Sequence, residues 1–255
     1  MPDKALVKKR FSRSLKTYSD EAEIQQTMAE KLSAMIVRRQ TRFRRVLEIG
    51  AGTGLLTSLL DEKITWESRI VNDLAGDCAS FHVSRRNTVF LPGDAENLEW
   101  DNGPFDLICS NAAFQWFEDL PAFLKKIKLS MSQTGLLAFT TFGPENLAEI
   151  RALTGHSLQY FPLEKLKDEL LSCGFAVPDS CEEVLNRYFD DPLDLLKTMH
   201  RTGVTASSER TWWTPRRLME FRQAYRERFG TPEHQVKATW HPIYILAQNR
   251  EGDPS

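Results

Sequence analysis

Five short apolar runs punctuate the middle of this chain, at residues 46–50, 69–74, 88–91, 105–110 and 136–142. Between them lie polar loops and stretches of helical length, at 55–60, 77–85 and 120–129. Short buried runs alternating with helices leave few architectures open. Each run is a strand covered on both faces, and right-handed helical crossovers join the strands into a parallel sheet. The expected fold is therefore α/β, a doubly wound and mostly parallel sheet. It has seven strands once two later candidates, 184–189 and 240–247, are counted.

A helical arm precedes this core. Ile24, Met28, Leu32, Met35 and Ile36 recur at helical spacing within 20–39, with Ser19 or Asp20 as the expected N-cap and Glu21 and Glu23 in the first turn. Residues 163–172 read as a helix stopped by Gly174. Two more helices fall between the late strands, at 191–202 and at 215–229, where Thr214 caps and Pro215 takes the favoured first position. Leu218, Phe221, Tyr225 and Phe229 make one apolar stripe on the latter, flanked by Arg222 and Arg226. The expected division is an arm over 1–44, a core over 45–190 and an inserted helical lid over 191–230. A final core strand lies within 231–250, followed by a disordered tail over 251–255.

Composition narrows the class. With 41% apolar and 27% charged residues in 255, the chain can bury a sizeable core and is not intrinsically disordered. No apolar run approaches the roughly 20 residues that span a bilayer, and the basic first 13 residues lack the apolar stretch of a secretory signal. The four cysteines form no Cys-x-x-Cys pair and the five histidines are dispersed, so no metal site is expected. Free thiols in a reducing compartment, hence a cytoplasmic protein without membrane contact, are the expectation, with a monomer as the simplest state. The net charge of −2 hides an asymmetry: residues 1–45 carry +7, residues 196–228 carry +5, and the remainder −14. Two basic segments flanking an acidic body point to an acidic partner. Nucleic acid is disfavoured, because no basic motif interleaved with aromatics is present.

The first run leads into Glu48-Ile49-Gly50-Ala51-Gly52-Thr53-Gly54, after which Leu55 opens a helix. Glycines there let the chain turn sharply and admit a ligand to the backbone. The spacing lacks both the Lys-Ser/Thr of a P-loop and the third glycine position of a dinucleotide fingerprint. Asp73 ends the second run about 20 residues on, where a carboxylate can accept both hydroxyls of a ribose. Gly93-Asp94-Ala95 follows the third run, with a carboxylate placed to accept from an adenine amino group, and Ser110-Asn111-Ala112 follows the fourth. These sites all lie at strand C-termini, where open α/β sheets bind ligands, and together they specify a nucleoside cofactor.

Over residues 45–142 this pattern resembles the class I S-adenosylmethionine-dependent methyltransferases, whose sheet is Rossmann-like. Further segments resemble one branch, the malonyl-[acyl-carrier protein] O-methyltransferases of biotin synthesis. They are Phe11-Ser12-Arg13, Thr17-Tyr18 and Ala22-Glu23-Ile24-Gln25 in the arm, and Gly93-Asp94-Ala95-Glu96-Asn97-Leu98 after the third run. Ser110-Asn111-Ala112-Ala113-Phe114-Gln115-Trp116 follows the fourth, and Arg187-Tyr188-Phe189-Asp190-Asp191 and Thr239-Trp240-His241 lie near the end. Ala51, Asn72 and Glu99-Trp100 depart from the branch. The resemblance implies S-adenosylmethionine as cofactor, S-adenosylhomocysteine as product and no metal. It places Glu48, Gly50, Gly52, Gly54, Asp73, Leu74, Asp94, Ala95, Asn111 and, from the arm, Gln25 around that cofactor. It implies methylation of the free carboxylate of malonyl-acyl carrier protein, or of a malonyl thioester, at the early pimeloyl stage. The alternatives are another small carboxylic acid or metabolite, and a non-catalytic or protein-modifying relative.

A malonyl carboxylate is ionised at neutral pH and needs no general base, so positioning and exclusion of water are the tasks. One carboxylate oxygen must be held by a cation or hydroxyl while the other attacks. Tyr18 is the first candidate, although it can instead cover the cofactor. His156, Lys197, His200 and Arg201 follow, His156 being equally readable as a surface-loop residue. Arg216, Arg217, Arg222 and Arg226 are the expected contacts for an acidic carrier.

Overall fold

The computed structural model describes residues 3–100, 103–202 and 214–249; the expected tail over 251–255 lies outside them. The strands are β1 (Arg45–Ile49), β2 (Ser68–Asp73), β3 (Thr88–Pro92), β4 (Phe105–Ser110), β5 (Met131–Phe142), β6 (Phe175–Glu182), β7 (Leu185–Phe189), β8 (Val236–Trp240) and β9 (Pro242–Asn249). The helices are α1 (Lys4–Glu21), α2 (Glu23–Arg39), α3 (Leu55–Lys63), α4 (Leu120–Leu129), α5 (Ala148–Thr154), α6 (Leu163–Ser172), α7 (Pro192–Arg201) and α8 (Pro215–Phe229). The main sheet has seven strands in the order β3-β2-β1-β4-β5-β9-β6. β1 to β5 run parallel, and β9 pairs antiparallel with both β5 and β6. Strand order reverses between β1 and β4, which opens a crevice at their C-terminal ends.

Alternation along the strands feeds two cores. Leu136 and Ala138 of β5 pack with Met28, Leu32 and Ile36 of α2 on one face. Leu137 and Phe139 pack with Phe123 and Ile127 of α4 and Leu170 of α6 on the other. Burying one such aliphatic or aromatic side chain contributes about 1.5–3 kcal/mol, so these two layers carry most of the stability.

The doubly wound sheet and its strand count agree with the sequence, but two memberships differ. The run at 184–189 is not in the main sheet: β7 forms a separate two-stranded ribbon with β8. Its place is taken by β6, an edge strand whose Pro178 sits where the register against β9 shifts, between Ala176 and Asp179. Proline cannot donate to a ladder, which confines it to edges and bulges and masks the strand in the sequence. The run at 240–247 divides at His241 into β8 and β9. Residues 77–85 give only a short 3₁₀ turn, Gly76–Phe81.

The arm also differs. α1 starts at Asp3, whose carboxylate accepts from Leu6 N at 3.0 Å. It runs on through Ser19 and Asp20, so neither caps the following helix. The chain breaks instead at buried Ala22, whose N–H donates to Tyr18 O and which caps α2 without a side-chain bond. Near the other end, Asp191 and Thr214 cap α7 and α8 through Leu193 N at 2.9 Å and Arg217 N at 3.2 Å. Among the described residues no helix is long and apolar enough to cross a membrane.

Candidate active site

The crevice at the β1/β4 switch is built from four strand ends and roofed by α1. β1 delivers the glycine loop. Gly50 and Gly52 have φ of +65° and +54°; a Cβ on Gly50 would lie 2.4 Å from Ala113 Cβ, and one on Gly52 2.9 Å from Phe11 Cζ. A side chain at either position is therefore both strained and crowded. The loop is fixed by Ala51 N donating to Asn72 O at 3.0 Å and by Gly52 N donating to Asp73 Oδ2 at 2.8 Å.

Asp73, 6% exposed at the end of β2, also accepts from Ala75 N through Oδ1 at 2.8 Å. The carboxylate also accepts from the Cys78 thiol, and of its four or so acceptor positions it keeps one for a diol. Burial raises its pKa, opposed by those backbone donors. Glu48 is 1% exposed, with Oε1 accepting from Thr57 Oγ1 at 2.9 Å and Oε2 unpartnered. Burial pushes its carboxyl up to about 7 against the pull of Arg69 and Thr57.

The structure brings Gln25, Glu48, Gly50, Gly52, Asp73 and Leu74 to the crevice wall, and likewise Asp94, Ala95, Asn111 and Tyr18. Gly54 stands just behind, as the left-handed N-cap of α3. Two of these side chains are committed elsewhere. Asn111 Nδ2 donates to Gln25 O at 3.0 Å and its Oδ1 accepts from Thr140 Oγ1 at 2.8 Å, so the amide ties the arm to the sheet. Asp94 accepts from Lys4 Nζ at 2.7 Å, and Lys4 also pairs with Glu96. Burial acts to raise the Asp94 pKa, but the Lys4, Glu96 N and Asn97 hydrogen bonds outweigh it and hold it below the usual range.

Of the candidates for holding an acceptor carboxylate, Tyr18 alone lines the crevice. Its ring meets Phe11 edge-on at 5.0 Å, and burial, then the charge of Asp73, pushes its phenol well above the ordinary value. It stays a neutral donor. His156 is exposed beyond the Gly155 cap of α5, and Lys197, His200 and Arg201 are exposed on α7, with Lys197 paired to Asp194 at 2.7 Å. The backbone of Arg201 does meet the arm, its carbonyl accepting from Thr17 Oγ1 at 3.3 Å.

Three residues to which the sequence reading gave no role shape the crevice. Lys4 latches α1 over the Asp94 loop. His82, fully buried, donates from Nε2 to Gly52 O at 3.0 Å and stacks on Phe90, while its Nδ1 has no partner. Burial, then the positive charges of Arg85 and Arg69, lowers its pKa despite the Gly52 bond, so it is neutral. Asn72, a departure from the family pattern, donates to Leu91 O at 2.9 Å and Gly93 O at 3.0 Å and so shapes the turn before Asp94. The one available signal was the spacing of Lys4, Val7, Phe11 and Tyr18, which puts them on one helical face.

Comparison with known proteins agrees with this geometry. A methyltransferase-domain family model matches residues 21–179. Malonyl-[acyl-carrier protein] O-methyltransferase of Bacteroides helcogenes is 35% identical, covering 98% of this chain and 100% of that protein. The protein of that name from Porphyromonas gingivalis is 37% identical, covering 96% of each chain. Among solved structures, the YcgJ protein of Bacillus subtilis superposes with a TM-score of 0.63 at 18% identity, over 88% of this chain and all of that one. Phosphoethanolamine N-methyltransferase 2 of Haemonchus contortus, in complex with S-adenosyl-L-methionine, gives 0.53 at 15% identity, over 86% and 52%.

Proposed function

The chain belongs to the malonyl-[acyl-carrier protein] O-methyltransferases, within the class I methyltransferases, and from that premise we propose that it methylates the free carboxylate of malonyl-acyl carrier protein. The reaction belongs to the early pimeloyl stage of biotin synthesis and takes place in the cytoplasm. The observation that carries the reading is the crevice itself, in which a glycine loop, a buried Asp73 with a spare acceptor position and the Asp94 turn stand in the order that a nucleoside ligand requires.

These residues fit S-adenosylmethionine. The cradle at Gly50 and Gly52 admits no Cβ, Asp73 suits a ribose diol, and the unpartnered Glu48 Oε2 lines the same wall. When bound, that cofactor supplies an electrophilic methyl on a sulfonium. The protein then has no proton to remove, because the acceptor carboxylate is already ionised. Its work is to bind, orient and dry the site. α1 covers the crevice with Val7, Phe11 and Tyr18, which excludes water from the charged nucleophile. Tyr18, held neutral, offers a hydroxyl hydrogen to an anionic oxygen.

The test is the product. Malonyl-carrier protein incubated with enzyme and S-adenosylmethionine should gain one methyl group by mass spectrometry, which base hydrolysis then releases as methanol. A base-stable methyl group would place the transfer on nitrogen or carbon and overturn the O-methyl assignment.

A further inference from the structure

The crevice is not the only cleft at this end of the molecule. Gln25 and Thr202 line it on one side and, on the other, line a second cleft between the first turn of α2, the β7/β8 ribbon and the end of α7. Ile24, Phe189, Met199 and Trp240 give this second cleft apolar walls. Among the described residues two charged ones line it, Glu23 and Arg187, and they are paired with each other, Arg187 Nη2 to Glu23 Oε1 at 2.5 Å.

We propose that the second cleft receives the acyl thioester and that Arg187 holds its free carboxylate. The inference rests on the methyl-acceptor reading above and names the residue that recognises that acceptor. Three observations carry it. First, α1 roofs the cofactor crevice and Lys4 pins that roof to Asp94 and Glu96, so an acceptor tethered to a carrier needs another approach. The second cleft lies directly alongside, with Gln25 and Thr202 lining both.

Second, a carboxylate entering a cleft of mixed polar and apolar lining finds its strongest partner in a cation. Arg187 is the one cation among the described residues lining this cleft. A guanidinium presents planar paired donors that match a carboxylate, and it stays charged at any working pH.

Third, the present partner of Arg187 is replaceable. Glu23 is itself a carboxylate with 68% of its side chain exposed, while Arg187 is 40% exposed. An exposed ion pair of this kind is worth only about 0–1 kcal/mol. An incoming malonyl carboxylate exchanges one anion for another of the same geometry, and Glu23 swings into water. A thioester without the free carboxylate makes no such exchange.

The experiment measures binding of malonyl pantetheine and acetyl pantetheine by calorimetry, to wild type, Arg187→Gln and Arg187→Lys. Wild type should prefer the malonyl thioester by up to about five-fold, the worth of an exposed ion pair. Arg187→Gln should abolish that preference by weakening malonyl binding alone, and Arg187→Lys should keep part of it. S-adenosylmethionine affinity should be unchanged in both, which also certifies their folding. On malonyl-carrier protein the Gln variant should show a raised KM. A malonyl preference that survives in Arg187→Gln, or is absent from wild type, overturns the assignment. Failure of the underlying reading looks different, because wild type would then transfer no methyl group to malonyl-carrier protein at all.

Discussion

Asp73 uses one carboxylate twice. Each oxygen anchors a backbone N–H, from Gly52 and from Ala75, and on the proposed function the carboxylate also accepts from the cofactor ribose. Asp73→Ala should therefore weaken S-adenosylmethionine binding by about 1.5–3 kcal/mol, roughly ten- to a hundred-fold. Calorimetry showing unchanged affinity would move the ribose site elsewhere. Glu48 yields a pH prediction. Its folded pKa of about 7 lies above the ordinary carboxylate value, so the folded state holds a proton that the unfolded state has lost across that interval. Stability accordingly falls as pH rises through the interval, and the cost is complete above it. Glu48→Gln should gain thermal stability relative to wild type at about pH 8, on the order of 1–3 kcal/mol, and little at about pH 5. Equal gains at both values would show that the charge is not the cause. The sequence made the placement of Glu48 and Asp73 at the crevice legible, because it follows from local spacing around a strand–loop–helix unit. His82 and Lys4 were not legible, since their partners lie 30 and 90 residues away and only packing unites them.

Among the elements, α1 decides access. Its hold on the Asp94 loop is the Lys4 pair with Asp94 and Glu96, groups only 11–21% exposed. Lys4→Ala should loosen α1 by about 1.5–3 kcal/mol, seen as faster hydrogen exchange along 4–21 and faster cofactor release. Unchanged exchange would mean that the apolar face of α1, not the ion pairs, holds it down. In Lys4, burial acts to lower the pKa but the two carboxylates outweigh it and the pKa is raised, while in Asp94 it is lowered. The latch is thus intact near neutrality, weakens as pH falls through the depressed Asp94 value, and weakens again as pH rises through the raised Lys4 value. The central strands and α2 were readable because burial on one or both faces writes itself into residue periodicity. The break at Ala22 was not, because no glycine or proline marks it. Nor was β6, where Pro178 interrupts an edge strand, or the β7/β8 ribbon, whose pairing joins segments nearly 50 residues apart.

At the scale of the whole molecule, the charge segregation suits the proposed acidic carrier. The basic helix α8 is less available than its sequence implies. Arg222 and Arg226 both pair with Asp191, and Arg216 pairs with Glu220 at 2.8 Å. On the proposed function, attraction of the carrier would come from the summed field of the basic segments more than from these arginines. Rising salt should slow transfer to malonyl-carrier protein and leave transfer to a small malonyl thioester nearly unchanged. An equal salt effect on both would place the sensitivity within the active site. The most direct test of the central claim is the initial rate of labelled-methyl transfer from S-adenosylmethionine, measured side by side on malonyl-carrier protein, acetyl-carrier protein and free malonate. The account predicts base-labile label on the malonyl-carrier protein, none on its acetyl counterpart, and far slower labelling of free malonate. Equal rates on free malonate and malonyl-carrier protein, or label on neither, would contradict it.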